Sequence, residues 1–440
     1  MSEPLLILPR WVVPIEPRGA VLEDRAVATR DGRIEALLPR TEALERFPGY
    51  ARIELAEHAL IPGLVNAHTH AAMTLMRGLA DDLPLMRWLE DHIWPAEMKH
   101  VSPQFVKDGT LLACAEMLRG GVTCFNDMYF FPEAALEAAL EAGMRASLGI
   151  IVVEFPSAYA SDPRDYLAKG LALRDRWRDH PLLSFCFAPH APYTVSDATF
   201  REVAKMAGEI YVPVHIHLHE TDDEIARSVA EHGVRPIERL RRLGLLGPGL
   251  IAVHAVHLSD DEINLLSKHG CSVVHCPSSN LKLASGLAPI AKLAAAGVNL
   301  ALGTDGAASN NRLDLFEETR LAALLAKAVA QDAQAMPAHA ALRAATLGGA
   351  QALGLESRIG SIEAGKAADL VAVRLAGPEL SPCYDPASHL VYAAGRDQVS
   401  HVWVAGRPTV LEGTLQNPAF SGLDTRYKLW HNLLRSRTEA

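Results

Sequence analysis

From residue 61 onward the chain alternates short β-rich apolar runs with segments of helical apolar spacing, and it does so eight times. The runs are Ile61 to Asn66, Val122 to Asp127, Ser147 to Val153, Leu183 to Pro189, Val212 to Leu218, Leu250 to Val256, Cys271 to Cys276 and Val298 to Gly303. Between them, segments such as Pro103 to Leu118, Pro132 to Ala142, Asp197 to Glu209, Ser259 to Lys268, Leu287 to Ala296 and Leu313 to Val329 have the spacing of helices with one buried face. Parallel neighbours need long crossovers, which helices supply, so eight such units predict an α/β fold closed into a (β/α)8 TIM-type barrel over residues 61–365.

The flanks read as strands and turns. Leu5 to Ile15, Val21 to Leu38 and Arg52 to Leu60 precede the barrel, and Ala368 to Leu375 and Val399 to Leu411 follow it, with Asp31-Gly32-Arg33 and Ala405-Gly406-Arg407 as turn signals. Both ends, 1–60 and 366–440, are expected to build one small β-sandwich domain. Thr425 to Arg437 has amphipathic spacing through Tyr427, Trp430, Leu433 and Leu434, which predicts a helix docked on the outside or used at a subunit contact of a homo-oligomer.

With 49% apolar residues the chain has ample material for a core, and a formal net charge of -10 disfavours DNA, RNA or an anionic membrane as partner. The first residues lack a basic start followed by an apolar core, and no uncharged apolar stretch reaches membrane-spanning length, so a cytoplasmic protein is expected. The six cysteines are scattered without a Cys-x-x-Cys pair; Cys276, beside the expected pocket, reads as a small buried hydrophobe rather than a nucleophile.

The chemistry lies where the runs end. In Pro62-Gly63-Leu64-Val65-Asn66-Ala67-His68-Thr69-His70, residues two apart on a strand share a face, so two imidazoles can converge. His190 follows the fourth run, His217 and Glu220 the fifth, His254 the sixth, Ser279 and Asn280 the seventh, and Asp305 the eighth. Catalytic groups of a (β/α)8 barrel occupy that rim. His68, His70, His217 and Asp305 make a three-imidazole, one-carboxylate set suited to one divalent first-row ion, Zn2+ foremost, with a position open for water. His215 and His219 share parity with His217, and position at the strand end selects His217; His215 reads as a core or supporting histidine, and His219 fits either role. Glu220, three residues beyond His217, can reach the open side of the ion. His254 is preferred to His257 as the group that orients water, because His257 leads into the helix start Ser259-Asp260-Asp261-Glu262.

These motifs, with His217-Leu218-His219-Glu220 and Gly303-Thr304-Asp305-Gly306, resemble the amidohydrolase superfamily in its mononuclear deaminase and chlorohydrolase branch. Met73-Thr74-Leu75-Met76-Arg77-Gly78, Trp94-Pro95-Ala96-Glu97, Asn280 to Gly286 and Ala307 to Asn311 more narrowly resemble 5'-methylthioadenosine/S-adenosylhomocysteine deaminases. The resemblance implies His68, His70, His217 and Asp305 as metal ligands, Glu220, His254 and Asp305 as catalytic groups, and Trp88, Glu97 and His190, with Glu220 and Asp305, as substrate contacts. It implies hydrolytic removal of the 6-amino group of a small nucleoside. The alternatives are a related enzyme acting on guanine or a triazine, or a non-enzymatic scaffold. A binuclear hydrolase is disfavoured because the fourth run carries no lysine for a bridging carbamate, and the scaffold because no ligand position has been lost.

Overall fold

A computed structural model describes residues 3–435. Eight parallel strands pair in chain order: β1 (Leu64–Thr69), β2 (Val122–Asp127), β3 (Arg145–Val152), β4 (Leu183–Pro189), β5 (Val214–Leu218), β6 (Leu250–His254), β7 (Ser272–His275) and β8 (Asn299–Leu302). The sheet curls until its first and last strands meet. Asn66 closes the seam, its Nδ2 donating to Thr304 Oγ1 at 2.7 Å and its Oδ1 accepting from Thr304 N at 3.0 Å, while Asp305 N donates to His68 O at 3.1 Å. The barrel is thus bridged at the rim that carries the polar residues.

The first expected strand proves to be two. Ala51–Pro62 belongs to the second sheet, and β1 begins at Leu64. Gly63 separates them, its N donating to Asp369 O at 2.8 Å, and a Cβ on it would lie 2.0 Å from Thr123 Oγ1. No apolar pattern marks this change of sheet, because both halves of the run are buried. The second sheet has nine strands drawn from both chain ends, parallel between Leu5–Val12 and Ala51–Pro62 and antiparallel elsewhere. The sandwich expected there is one continuous sheet whose Ile7, Val27, Ile34, Leu60, Leu370 and Trp403 gather in a single buried cluster.

A buried ion pair ties the two sheets together. Arg145, at the start of β3, donates from Nε to Asp369 Oδ2 at 2.9 Å and from Nη2 to Asp369 Oδ1 at 3.1 Å, both residues being 3% exposed. Asp369→Ala would leave a desolvated guanidinium unpaired, and we expect denaturant unfolding to record a loss of about 3–5 kcal/mol. The double replacement Arg145→Met/Asp369→Leu should recover a large part of that loss, because the buried charge is gone.

The C-terminal helix, Leu423–Arg435, docks on the barrel's own helix Pro103–Arg119. Trp430 Nε1 donates to Asp108 Oδ2 at 3.0 Å, and its ring meets that of Phe105 edge-on at 5.1 Å. The expected continuation to Arg437 lies outside the described residues. Among those residues no helix is long and apolar enough to cross a membrane, and the six cysteines are free.

Candidate metal and active site

The strand ends deliver four groups to one point. His68 is buried in β1 and His70 follows it; His217 lies at the end of β5, and Asp305 three residues beyond β8. His68 Nε2 is 3.2 Å from Asp305 Oδ1 and 3.3 Å from His217 Nε2, and His70 Nε2 is 3.3 Å from Asp305 Oδ1. Two glycines permit this approach. A Cβ on Gly303 would lie 2.8 Å from His68 Cβ, and one on Gly306 would lie 3.2 Å from His70 Cβ.

The hydrogen bonds behind the imidazoles test whether a cation fits. His70 Nδ1 donates to Met128 O at 2.6 Å and His217 Nδ1 to His190 O at 2.8 Å. A carbonyl only accepts, so the hydrogen sits on Nδ1 and a neutral ring turns a bare Nε2 toward its neighbours. Burial, reinforced by the surrounding histidines, holds His217 well below the ordinary histidine pKa. Burial also lowers His68 to about 4 despite Asp305 beside it. His68 Nδ1 faces His215 Nε2 at 2.9 Å, so the histidine deeper in β5 supports the first-strand imidazole. Lone pairs and a carboxylate oxygen therefore converge without enough protons to share, an arrangement that one cation satisfies. Burial would push the Asp305 carboxyl up, yet His68, His70 and His254 hold it well below the usual range. Its Oδ2 accepts from Ser279 Oγ at 2.6 Å and from Ser309 Oγ at 3.1 Å.

Glu220 and His254 stand beside this cluster and line the same cavity. Glu220 is 5% exposed, and burial raises its carboxyl, opposed by His254 and reinforced by Asp305. His254, the last residue of β6, has φ +71°; its Nδ1 donates to Asn280 Oδ1 at 2.8 Å, and its Nε2 lies 3.8 Å from Glu220 Oε2. Its nitrogen atom also falls within 4.8 Å of the donor atoms of His68 and His217, so it borders the cluster directly. His257 is engaged elsewhere, through Ser285 O at 2.6 Å and Asp222 at 3.0 Å. His219 leaves the strand face with φ +55° and turns to His257 O and Ile237 N.

The cavity holds about 370 Å³, within the range of small-molecule sites. Trp88, Glu97 and His190 all line it. Trp88 is buried and donates from Nε1 to Ala80 O at 3.2 Å. Glu97 accepts from Tyr129 Oη at 2.7 Å, and burial pushes its carboxyl up to about 7. Burial lowers His190 to about 3, and its Nδ1 pairs with Thr194 Oγ1 at 3.1 Å. Burial raises the Cys276 thiol well above its usual value, in keeping with a packing role.

Two buried carboxyls behind the site escape the sequence reading. Glu224 accepts from His219 N at 2.9 Å and Glu220 N at 2.8 Å, clamping the turn that aims Glu220. Its signal was the run Thr221-Asp222-Asp223-Glu224, a cap pattern in which Glu224 reaches past the cap residue to the two preceding amides. Glu318 accepts from Ser278 N at 3.0 Å and Asn310 Nδ2 at 2.8 Å, joining the segment of Ser279 and Asn280 to that of Asp305. Nothing local in the sequence marks Glu318, which faces the barrel from the helix Leu315–Ala330.

Comparison with known proteins places this geometry in context. Residues 59–409 match the amidohydrolase family. A 5-methylthioadenosine/S-adenosylhomocysteine deaminase of Saccharophagus degradans is 48% identical over 96% of this chain and 94% of its own length. The protein of that name from Teredinibacter turnerae is 50% identical over 91% and 90%. Among solved structures, an adenosine deaminase from Xanthomonas campestris with bound zinc superimposes with a TM-score of 0.96 at 54% identity, covering 98% of this chain and 99% of that one. A family match over most of the barrel, together with relatives of this similarity and extent, means that the chain belongs to the amidohydrolase family.

Proposed function

We propose that this protein is a hydrolytic deaminase that replaces the 6-amino group of an adenine nucleoside, of the methylthioadenosine and S-adenosylhomocysteine class, by oxygen. The observation that carries this reading is the convergence of His68, His70, His217 and Asp305 on the floor of a cavity whose wall presents Glu220 and His254. The names of the relatives, and the zinc of the Xanthomonas campestris neighbour, support the substrate class and the ion.

His68, His70, His217 and Asp305 would hold one divalent ion, zinc by the chemistry of the donors. Such an ion acidifies water toward neutrality and so supplies the nucleophile. As the water oxygen attacks C6, His254 Nε2 receives one of its protons, its other nitrogen being committed to Asn280. Asp305, fixed by Ser279 and Ser309, orients that water. Glu220, whose carboxyl burial shifts toward the protonated form, gives a proton to ring N1. When the tetrahedral centre collapses, Glu220 carries the second water proton to the amino nitrogen, which leaves as ammonia. His254 then returns the first proton to Glu220, 3.8 Å away, and both groups are restored. Glu97 can accept two hydrogen bonds from a vicinal diol, which fits a ribose within reach of Tyr129.

The test follows the leaving group released by the zinc-loaded protein given four compounds in parallel: ammonia from adenosine, methylthioadenosine and guanine, and chloride from a chlorotriazine. We expect ammonia and a 6-oxo product in equal amounts from the adenine nucleosides alone. Turnover of guanine or the chlorotriazine in preference to them overturns the substrate assignment.

A further inference from the structure

Resting on the deaminase reading, we infer that the site selects adenine nucleosides with an apolar, uncharged 5' substituent, such as a short alkyl thioether, over those ending in an α-amino acid. Among the described residues, the ionisable groups that line the cavity are carboxyls, imidazoles and the phenols of Tyr129 and Tyr193; no lysine or arginine is among them. The reacting floor and Glu97 account for those carboxyls and for the most buried imidazoles. What remains toward solvent is largely hydrocarbon; of its hydroxyls, Ser157 Oγ already accepts from Tyr159 N and Tyr166 Oη, and Tyr193 stands against His190. Trp94, Met98 and Val101 come from one wall, and Phe130, Phe155 and Pro156 from the loops after β2 and β3.

Exposure gives this wall its direction. Asp305 and Glu220 are each 5% exposed, whereas Met98 is 80% and Phe155 44% exposed, so the latter two mark the mouth. Large apolar side chains flanking an open cavity are left in water until a ligand covers them. A methylthio or butylthio group does so and loses no hydrogen bond. An α-carboxylate laid against the same surface is partly stripped of water and meets no cation in return. Two cations on the neighbouring segments are already engaged: Arg87 pairs with Asp91 at 3.2 Å, and Lys169 with Asp165 at 2.9 Å and Tyr159 O.

The experiment measures kcat/KM of the zinc-loaded enzyme for adenosine, methylthioadenosine, 5'-butylthio-5'-deoxyadenosine and S-adenosylhomocysteine. We expect methylthioadenosine to exceed S-adenosylhomocysteine by about 10-fold or more. The butylthio compound should equal or exceed methylthioadenosine, since each further methylene buried is worth up to about fourfold. Phe155→Arg, a change at an exposed position, places a guanidinium at the mouth and should raise the S-adenosylhomocysteine to methylthioadenosine ratio by about 10-fold. Equal or better turnover of S-adenosylhomocysteine by the unaltered enzyme, or a ratio that Phe155→Arg leaves unmoved, overturns the inference while the deaminase reading stands. No ammonia from any of the four overturns that reading, and the inference with it.

Discussion

Glu220→Gln lowers kcat by about 10²–10⁴-fold while the protein keeps its metal, the span expected when a positioned proton donor is lost. Glutamine has the size of glutamate and can still donate a hydrogen bond, but it cannot give up a proton and take it back. The neighbours of Glu220 make this substitution a clean one. Its backbone N is held by Glu224, and its side chain faces the cavity 3.8 Å from His254, so the fold has no stake in its ionisable proton. Turnover by ammonia release, metal content of the same sample and KM for methylthioadenosine are the three readings. A variant with near-full kcat removes Glu220 from the proton path and shifts that task to His254.

The barrel and its rim were legible in the sequence because the determinants are local. Val122–Asp127 and Leu183–Pro189 have the predicted bounds, the first opening directly after Gly120-Gly121 and the second closing on Pro189. The pairing of His68 with His70 and the selection of His217 over its two neighbours follow from strand parity and strand ends alone. What escaped is set by contacts distant in sequence. The split at Gly63 answers to Thr123 and Asp369, and Glu318 has no signal because its partners lie on separate segments, Ser278 in the helix Pro277–Lys282 and Asn310 in the loop after β8. The successive helical segments Leu85–Trp88, Leu89–Ile93 and Trp94–His100, which wall the cavity, also went unread. The last of them has no buried residue, so it carries no apolar stripe, and its side chains face the cavity instead of a core.

Removing the metal with a chelator abolishes turnover, and zinc restores it; His217→Ala abolishes it as well, with no recovery on adding zinc at the same concentration. The prediction follows from the protons missing at the centre. With Nδ1 of His70 and of His217 each bound to a carbonyl, their Nε2 atoms have nothing to donate to Asp305 or to His68. An ion held there would also relieve repulsion between lone pairs in the folded state, so its loss is expected in stability as well as in rate. At free zinc 100 to 1,000 times its dissociation constant, linkage gives about 2.7–4.1 kcal/mol of added stability over the stripped protein. A thermal unfolding midpoint that rises with zinc in the unaltered protein, and far less in His217→Ala, is the expected result. Equal rises in both would locate the ion elsewhere. The remaining donors, His68, His70 and Asp305, would still form a three-group site after that substitution, with atoms within 4.8 Å of one another. Residual weak binding in His217→Ala is thus expected, and turnover, not binding alone, is the reading that the proposed fourth ligand governs.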